Sequence, residues 1–138
     1  MNGKLSWAIF WALIGVFVVI ASAFLVPAIG ELLMGLLFIT VSGAVFILLG
    51  GALIFLTVKE KVGGLLKKFF ILTGAAAVGI PISAVLHNAL YALVLVKMLN
   101  RPDIDEPFFF IMAIFVCPLG FLVGAVGSVV LFIKRRKR

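Results

Sequence analysis

The residues with the most specific chemistry in this chain are a histidine and the polar side chains around it. Ser83, His87 and Tyr91 are spaced four residues apart, so they would share one face of a helix, and Asn88 is adjacent to His87. An imidazole exchanges a proton near neutral pH, because its ordinary pKa is about 6.5. A histidine within a membrane span is by default a candidate functional residue. The pattern indicates proton exchange, ion passage or ligand binding, with hydrogen-bonded contact between helices as the other interpretation.

Further polar residues are expected at the depth of His87. His87 and Cys117 each lie ten residues from the residue that bounds their helix on one side, Lys97 and Pro107. At about 1.5 Å per residue this is about 15 Å along each helix. The sequence therefore predicts a polar layer in the outer half of a helical bundle, formed by Ser83, His87, Asn88, Tyr91, Cys117, Thr40 and Ser42.

The remaining composition argues against catalysis. One histidine and one cysteine cannot supply the three or four protein ligands of a zinc site, and a single cysteine excludes a CxxC redox pair. The apolar runs contain no Asp, Glu, Lys or Arg, so paired carboxylates and anion-binding cations are missing there. We expect no enzyme activity, no metal and no cofactor. The cations form short clusters between apolar runs, so we expect no nucleic-acid partner either.

Four long apolar runs must position these residues. The 138-residue chain is 65% hydrophobic and 12% charged, whereas a soluble domain has about 25% charged residues. The runs Leu5–Val26, Leu32–Val58, Phe69–Val96 and Phe108–Ile133 each exceed the roughly 20 residues that cross a bilayer. Only helices satisfy the backbone of such runs in lipid. The sequence predicts one all-α integral membrane domain over residues 1–138, a bundle of four transmembrane helices with short loops, including a tight turn over residues 27–31.

The basic residues predict the orientation of this bundle. Ten of the twelve lie on one side of the predicted membrane, and only Lys97 and Arg101 lie on the other. The positive-inside rule then places both termini in the cytoplasm, within the cell membrane, where the basic segments would meet anionic lipid headgroups. One alternative concerns Ala21-Ser22-Ala23, which has the form of a signal-peptidase site. Cleavage there would remove the first span.

Small residues and prolines predict how the helices associate. Rows of small side chains at Gly120, Gly124 and Ser128, and at Ala75 and Gly79, are typical of contact seams, either within the bundle or with another subunit. Pro81 and Pro118 each remove a backbone N–H within a span and predict kinks, with a hinge or an ion-coordinating break as the alternative.

Nearly all of the chain is predicted span, and its loops are too short to bind soluble partners. We therefore expect a non-catalytic accessory or assembly subunit that acts through lateral helix contacts, in a homo-oligomer or a larger membrane complex. The alternative is a small, oligomeric proton- or solute-translocating protein whose polar layer surrounds His87.

Overall fold

The computed structural model describes residues 3–33 and 35–138, with the backbone alone at 32 and 33. The described chain contains no strand and is built from helices α1 (Lys4–Leu25), α2 (Pro27–Leu33), α3 (Leu36–Lys59), α4 (Gly64–Met98) and α5 (Pro107–Arg136). Helices α1, α3, α4 and α5 are 22, 24, 35 and 30 residues long and apolar enough to cross a membrane. The expected all-helical architecture with four candidate membrane helices is confirmed.

The segment predicted as a tight turn is instead the short helix α2. Val26 is extended, as expected for a residue before proline, and this ends α1. Pro27 then begins α2, where its missing N–H costs nothing because first-turn N–H groups have no partner within the helix. As a result α3 begins at Leu36, four residues beyond the start predicted for the second span.

Helices α3 and α4 cross at a pair of glycines. A Cβ placed on Gly50 would lie 2.7 Å from the carbonyl oxygen of Gly74, and a Cβ on Gly74 would lie 2.7 Å from that of Gly50. The two backbones therefore touch directly, at a distance that only glycine permits. In lipid, where burial of apolar surface gives helices no reason to associate, such close approach is a main source of attraction.

Helices α4 and α5 pack antiparallel along a second glycine contact. Gly124 lies against the backbone of α4, because a Cβ there would be 2.9 Å from both the Phe69 carbonyl oxygen and the Thr73 nitrogen. Gly127 faces the ring of Phe69, and Gly79 faces Cys117. These pairs fix the register of the two helices, and α4 lies between α3 and α5.

Aromatic rings fill the interior between these helices and α1. The Phe10 ring lies 5.3 Å from Phe70, and Phe17 stacks on Phe121 at 4.4 Å. Phe10, Phe70 and Phe121 are 0% exposed, and Phe46 is 3% exposed. The core of the described bundle is therefore packed with rings rather than lined with polar groups.

Three of the buried hydroxyls are satisfied within their own helices. Thr57 donates to the carbonyl of Leu53, and Thr73 to that of Phe69, each four residues earlier. Ser128 donates to Gly124 in the same way. Because each hydroxyl bonds to its own backbone, these residues do not form a chain of hydrogen bonds across the bundle.

Two segments depart from regular α-helix. A π-helical turn at Met112–Val116 ends two residues before Pro118, and the Cys117 N–H donates to the carbonyl of Met112, five residues earlier. The wider turn accommodates the residue that cannot donate. The end of α4, Leu90–Met98, is also π-helical, whereas Pro81 lies within regular α-helix. The kinks expected at both prolines stay a prediction.

Candidate functional site

His87 forms the centre of the polar cluster that the structure brings together. Its Nδ1 lies 2.8 Å from the backbone carbonyl oxygen of Glu106 and 3.2 Å from the Glu106 Oε2 atom. A carbonyl oxygen only accepts, so Nδ1 carries a hydrogen and donates it. The other ring nitrogen, Nε2, lies 4.0 Å from an oxygen of Asp105, whose side chain is 74% exposed. Nε2 therefore carries the free lone pair of the neutral ring.

Glu106 is held from two directions. It is the N-cap of α5, where its carboxylate accepts the N–H of Phe109 at 3.0 Å, and Pro107 follows at the first helical position. Its side chain is 14% exposed and that of His87 is 19% exposed. Burial acts to raise the pKa of Glu106, but the hydrogen bonds from Phe109 and His87 outweigh it and hold the pKa below its ordinary value.

Two further contacts tie the connection between α4 and α5 to the end of α4. The Tyr91 hydroxyl donates to the carbonyl of Pro102 at 3.2 Å, and the Arg101 N–H donates to that of Leu95 at 2.8 Å. Together with the His87–Glu106 contact, they show that the connection folds back along α4.

The fold-back overturns the depth predicted for His87. Glu106 immediately precedes α5, so His87 lies level with the start of α5, and α4 continues for eleven residues beyond it. Cys117 lies instead against Gly79, whose Cβ would be 2.8 Å from the sulfur. Gly79 and His87 are eight residues apart, or about 12 Å along the helix. The prediction of a common depth was wrong, because it assumed that the chain leaves each helix end directly.

The other residues of the predicted layer do not join His87. Ser83 is buried beside the Cys117 thiol. Asn88 and Thr40 are exposed and bond to carbonyls four residues earlier, at Ala84 and Leu36. Ser42 bonds to the carbonyl of Phe38 and faces α1. The described residues therefore form a His87–Glu106 contact at the start of α5, a Tyr91–Pro102 contact further along α4, and a separate Ser83–Cys117 pair.

The small residues predicted as seams have different environments. Gly124 and Ser128 are buried, and Gly79 faces Cys117. A Cβ on Gly120 would meet α4 at ordinary contact distance, 3.7 Å. Ala75 is exposed on the outside of the bundle. Its neighbours Thr73 and Gly74 face α5 and α3, respectively, whereas Ala75 points away from both helices.

A second polar contact, which was not predicted, joins the helices at the opposite end. The Glu60 carboxylate accepts the backbone N–H of Ser6 at 3.0 Å, the N–H of Leu5 at 3.3 Å, and the Ser6 hydroxyl. The hydrogen bonds from Ser6 hold the pKa of Glu60 below its ordinary value. The sequence held one indication of this contact: α1 has no acidic residue in its first turn, so the free N–H groups there needed a partner from elsewhere in the chain.

Among residues 3–33 and 35–138, no group of three or more His, Cys, Asp or Glu side chains is placed to hold a metal ion.

Comparison of the chain with protein-family models, curated proteins and solved structures gave no match.

Proposed function

We propose that this chain is a non-catalytic accessory or assembly subunit of a membrane, acting through lateral contacts of its helices. The observation that carries the proposal is the closed interior. Phe10, Phe46, Phe70 and Phe121 fill it and are at most 3% exposed. His87 and Glu106, the most reactive groups described, are engaged with each other at the bundle end. A single copy thus offers partners its outer surface rather than an internal path.

That outer surface carries features suited to close helix contact. Gly15 of α1 and Gly51 of α3 are exposed, and nothing lies within 4 Å of a Cβ placed on either. A groove of about 360 Å³ runs between α1 and α3, lined by Ala12, Gly15 and Ser42 among others. Exposed small residues let the backbone of a neighbouring helix approach closely.

In this proposal α1, α3, α4 and α5 cross the cell membrane, with both termini in the cytoplasm. The distribution of charge supports this orientation, because ten of the twelve Lys and Arg residues flank the ends that carry the termini. A reporter that is active only in the cytoplasm should therefore be active when it is fused after Arg138. Activity of a periplasmic or extracellular reporter there would contradict the orientation.

The experiment that tests the assembly role is purification of the tagged chain in mild detergent, with cross-linking in intact membranes through Gly15→Cys or Gly51→Cys. We expect a stoichiometric membrane partner and a cross-link from at least one position. The variants Gly15→Leu and Gly51→Leu form a matched pair, since both add bulk where the bundle has open space. Loss of the complex in one of them identifies the contacting face. A monomer without cross-links, or a homodimer alone, would count against assembly into a larger complex.

The second candidate is proton or solute translocation, and one observation favours it: Nε2 of His87 lies 4.0 Å from the exposed carboxylate of Asp105. With an aromatic core in each copy, the path would run between copies. Under this hypothesis His87→Ala abolishes a pH-dependent flux in proteoliposomes and leaves the fold intact. An unchanged flux would rule out a working His87, and loss of flux together with loss of fold would favour a structural role for it as a contact between helices.

A further inference from the structure

The end of the bundle that carries both termini gathers most of the positive charge. Glu60 at the end of α3 bonds to Ser6 at the start of α1. The Trp7 ring lies 4.9 Å from Phe70 near the start of α4 and 4.9 Å from Phe132 near the end of α5. These contacts bring together ten exposed cations, Lys4, Lys59, Lys61, Lys67, Lys68, Lys134, Arg135, Arg136, Lys137 and Arg138.

The single acidic side chain at this end does not neutralise them. Glu60 accepts its hydrogen bonds from the start of α1, including the Ser6 hydroxyl. Over the described ranges, the ion pairs found involve only His87 and Arg101, both at the opposite end. The basic end thus has an excess of positive charge that only groups from outside the bundle can balance.

Aromatic side chains hold cations of this end at the edge of the apolar surface. The Arg136 guanidinium lies 5.4 Å from the centre of the Phe132 ring, and the Lys59 ammonium lies 5.7 Å from that of Phe55. Long basic side chains that follow apolar rings in this way place their charged groups at the level of lipid headgroups. Trp7 and Trp11 lie one to two turns inward, where indole rings favour the interface.

We propose that this basic end is a binding surface for anionic phospholipids, which it selects over zwitterionic ones. Lipid phosphates and carboxylates would supply the negative charge that the single carboxylate of Glu60 is too little to provide. This proposal is independent of the assembly role, because it concerns the ends of the helices rather than their sides.

The two tryptophans of the chain provide the test, because both lie at this end. In proteoliposomes, quenching of their fluorescence by brominated phosphatidylglycerol is compared with quenching by brominated phosphatidylcholine. We expect the ratio of the two association constants to be several-fold above one at low salt and to fall at high salt. The double variant Lys4→Gln/Arg136→Gln should lower the ratio, by no more than about fivefold for each cation removed, and the eight remaining cations should keep it above one.

The matched control is Lys97→Gln/Arg101→Gln, which removes two cations from the other end and should leave the ratio unchanged. A ratio near one in the unaltered protein would overturn the proposal, as would an equal fall in both double variants. Binding of soluble polyglutamate to the unaltered protein, without selection among lipids, would assign the surface to an acidic protein partner and also overturn it. Helix content by circular dichroism should be equal in all variants, since the four substituted side chains are exposed.

Discussion

The adjacent glycines Gly50 and Gly51 offer a matched measurement of the α3–α4 contact. A Cβ on Gly50 would lie 2.7 Å from the carbonyl oxygen of Gly74 and 2.9 Å from a methyl carbon of Val78. A Cβ on Gly51 would meet nothing within 4 Å. The same substitution to alanine therefore adds a methyl group to a backbone crossing in one variant and to open surface in the other.

The expected loss of stability follows from how far the two helices must move apart to make room for the added methyl group. A carbon and a carbonyl oxygen in contact ordinarily lie about 3.3–3.6 Å apart, so Gly50→Ala must separate the two helices by several tenths of an ångström. Overpacking of this kind typically costs about 1–3 kcal/mol. Both substitutions also gain up to about 1 kcal/mol of helix propensity, and this gain cancels in the comparison. We expect Gly50→Ala to be less stable than Gly51→Ala by about 1–3 kcal/mol.

The free energy of unfolding would be measured in mixed micelles of dodecylmaltoside and sodium dodecyl sulfate, followed by circular dichroism. Gly74→Ala should cost a similar amount, because the contact is reciprocal. The double variant Gly50→Ala/Gly74→Ala should cost less than the sum, since the first separation makes room for the second methyl group. Equal stability of Gly50→Ala and Gly51→Ala would refute the backbone crossing.

Three further predictions concern the polar contacts. Glu106→Ala should destabilise the start of α5 through loss of its N-cap, seen as faster hydrogen exchange near Phe109, and unchanged exchange would contradict the cap. Because Ser6 lowers the pKa of Glu60, that carboxylate stabilises the fold fully above its ordinary pKa of 4.5 and loses this effect as pH falls below it. Glu60→Gln should flatten this acidic part of the stability–pH curve, and an unaltered curve would exclude the contact. Gly79→Ala should be destabilising and Cys117→Ala should partly rescue it, because the added Cβ would lie 2.8 Å from the sulfur; additive effects would disprove that contact.

Hydropathy predicted the four long helices because their apolar character follows directly from composition. Hydropathy could not predict how far neighbouring helices are shifted along their axes relative to one another, because that shift depends on which backbone positions are in contact. The shift is set by Gly50 on Gly74 and by Gly124 on Phe69 and Thr73, contacts between residues far apart in sequence.

The candidate site was predicted in part. His87 stands out from sequence because a histidine in an apolar run is unusual, and Tyr91, four residues later, also contacts the connection before α5. The His87 partner Glu106 was not predicted, because an acid before a proline gives no indication that its connection folds back onto the preceding helix. Glu60 was missed because its partners at Leu5 and Ser6 are mostly backbone groups, which sequence does not distinguish.

The hydrogen bonds between Glu60 and the start of α1 bear on the order of events during biosynthesis. When α1 leaves the ribosome, the amides of Leu5 and Ser6 still lack a partner, since the residue that satisfies them is translated 54 positions after Ser6. Once Glu60 is available, α1 and α3 can close into a hairpin whose end at Leu5 and Ser6 is satisfied without any residue of α4 or α5. The glycine contacts that α4 makes with α3 and α5 are therefore not needed for this closure.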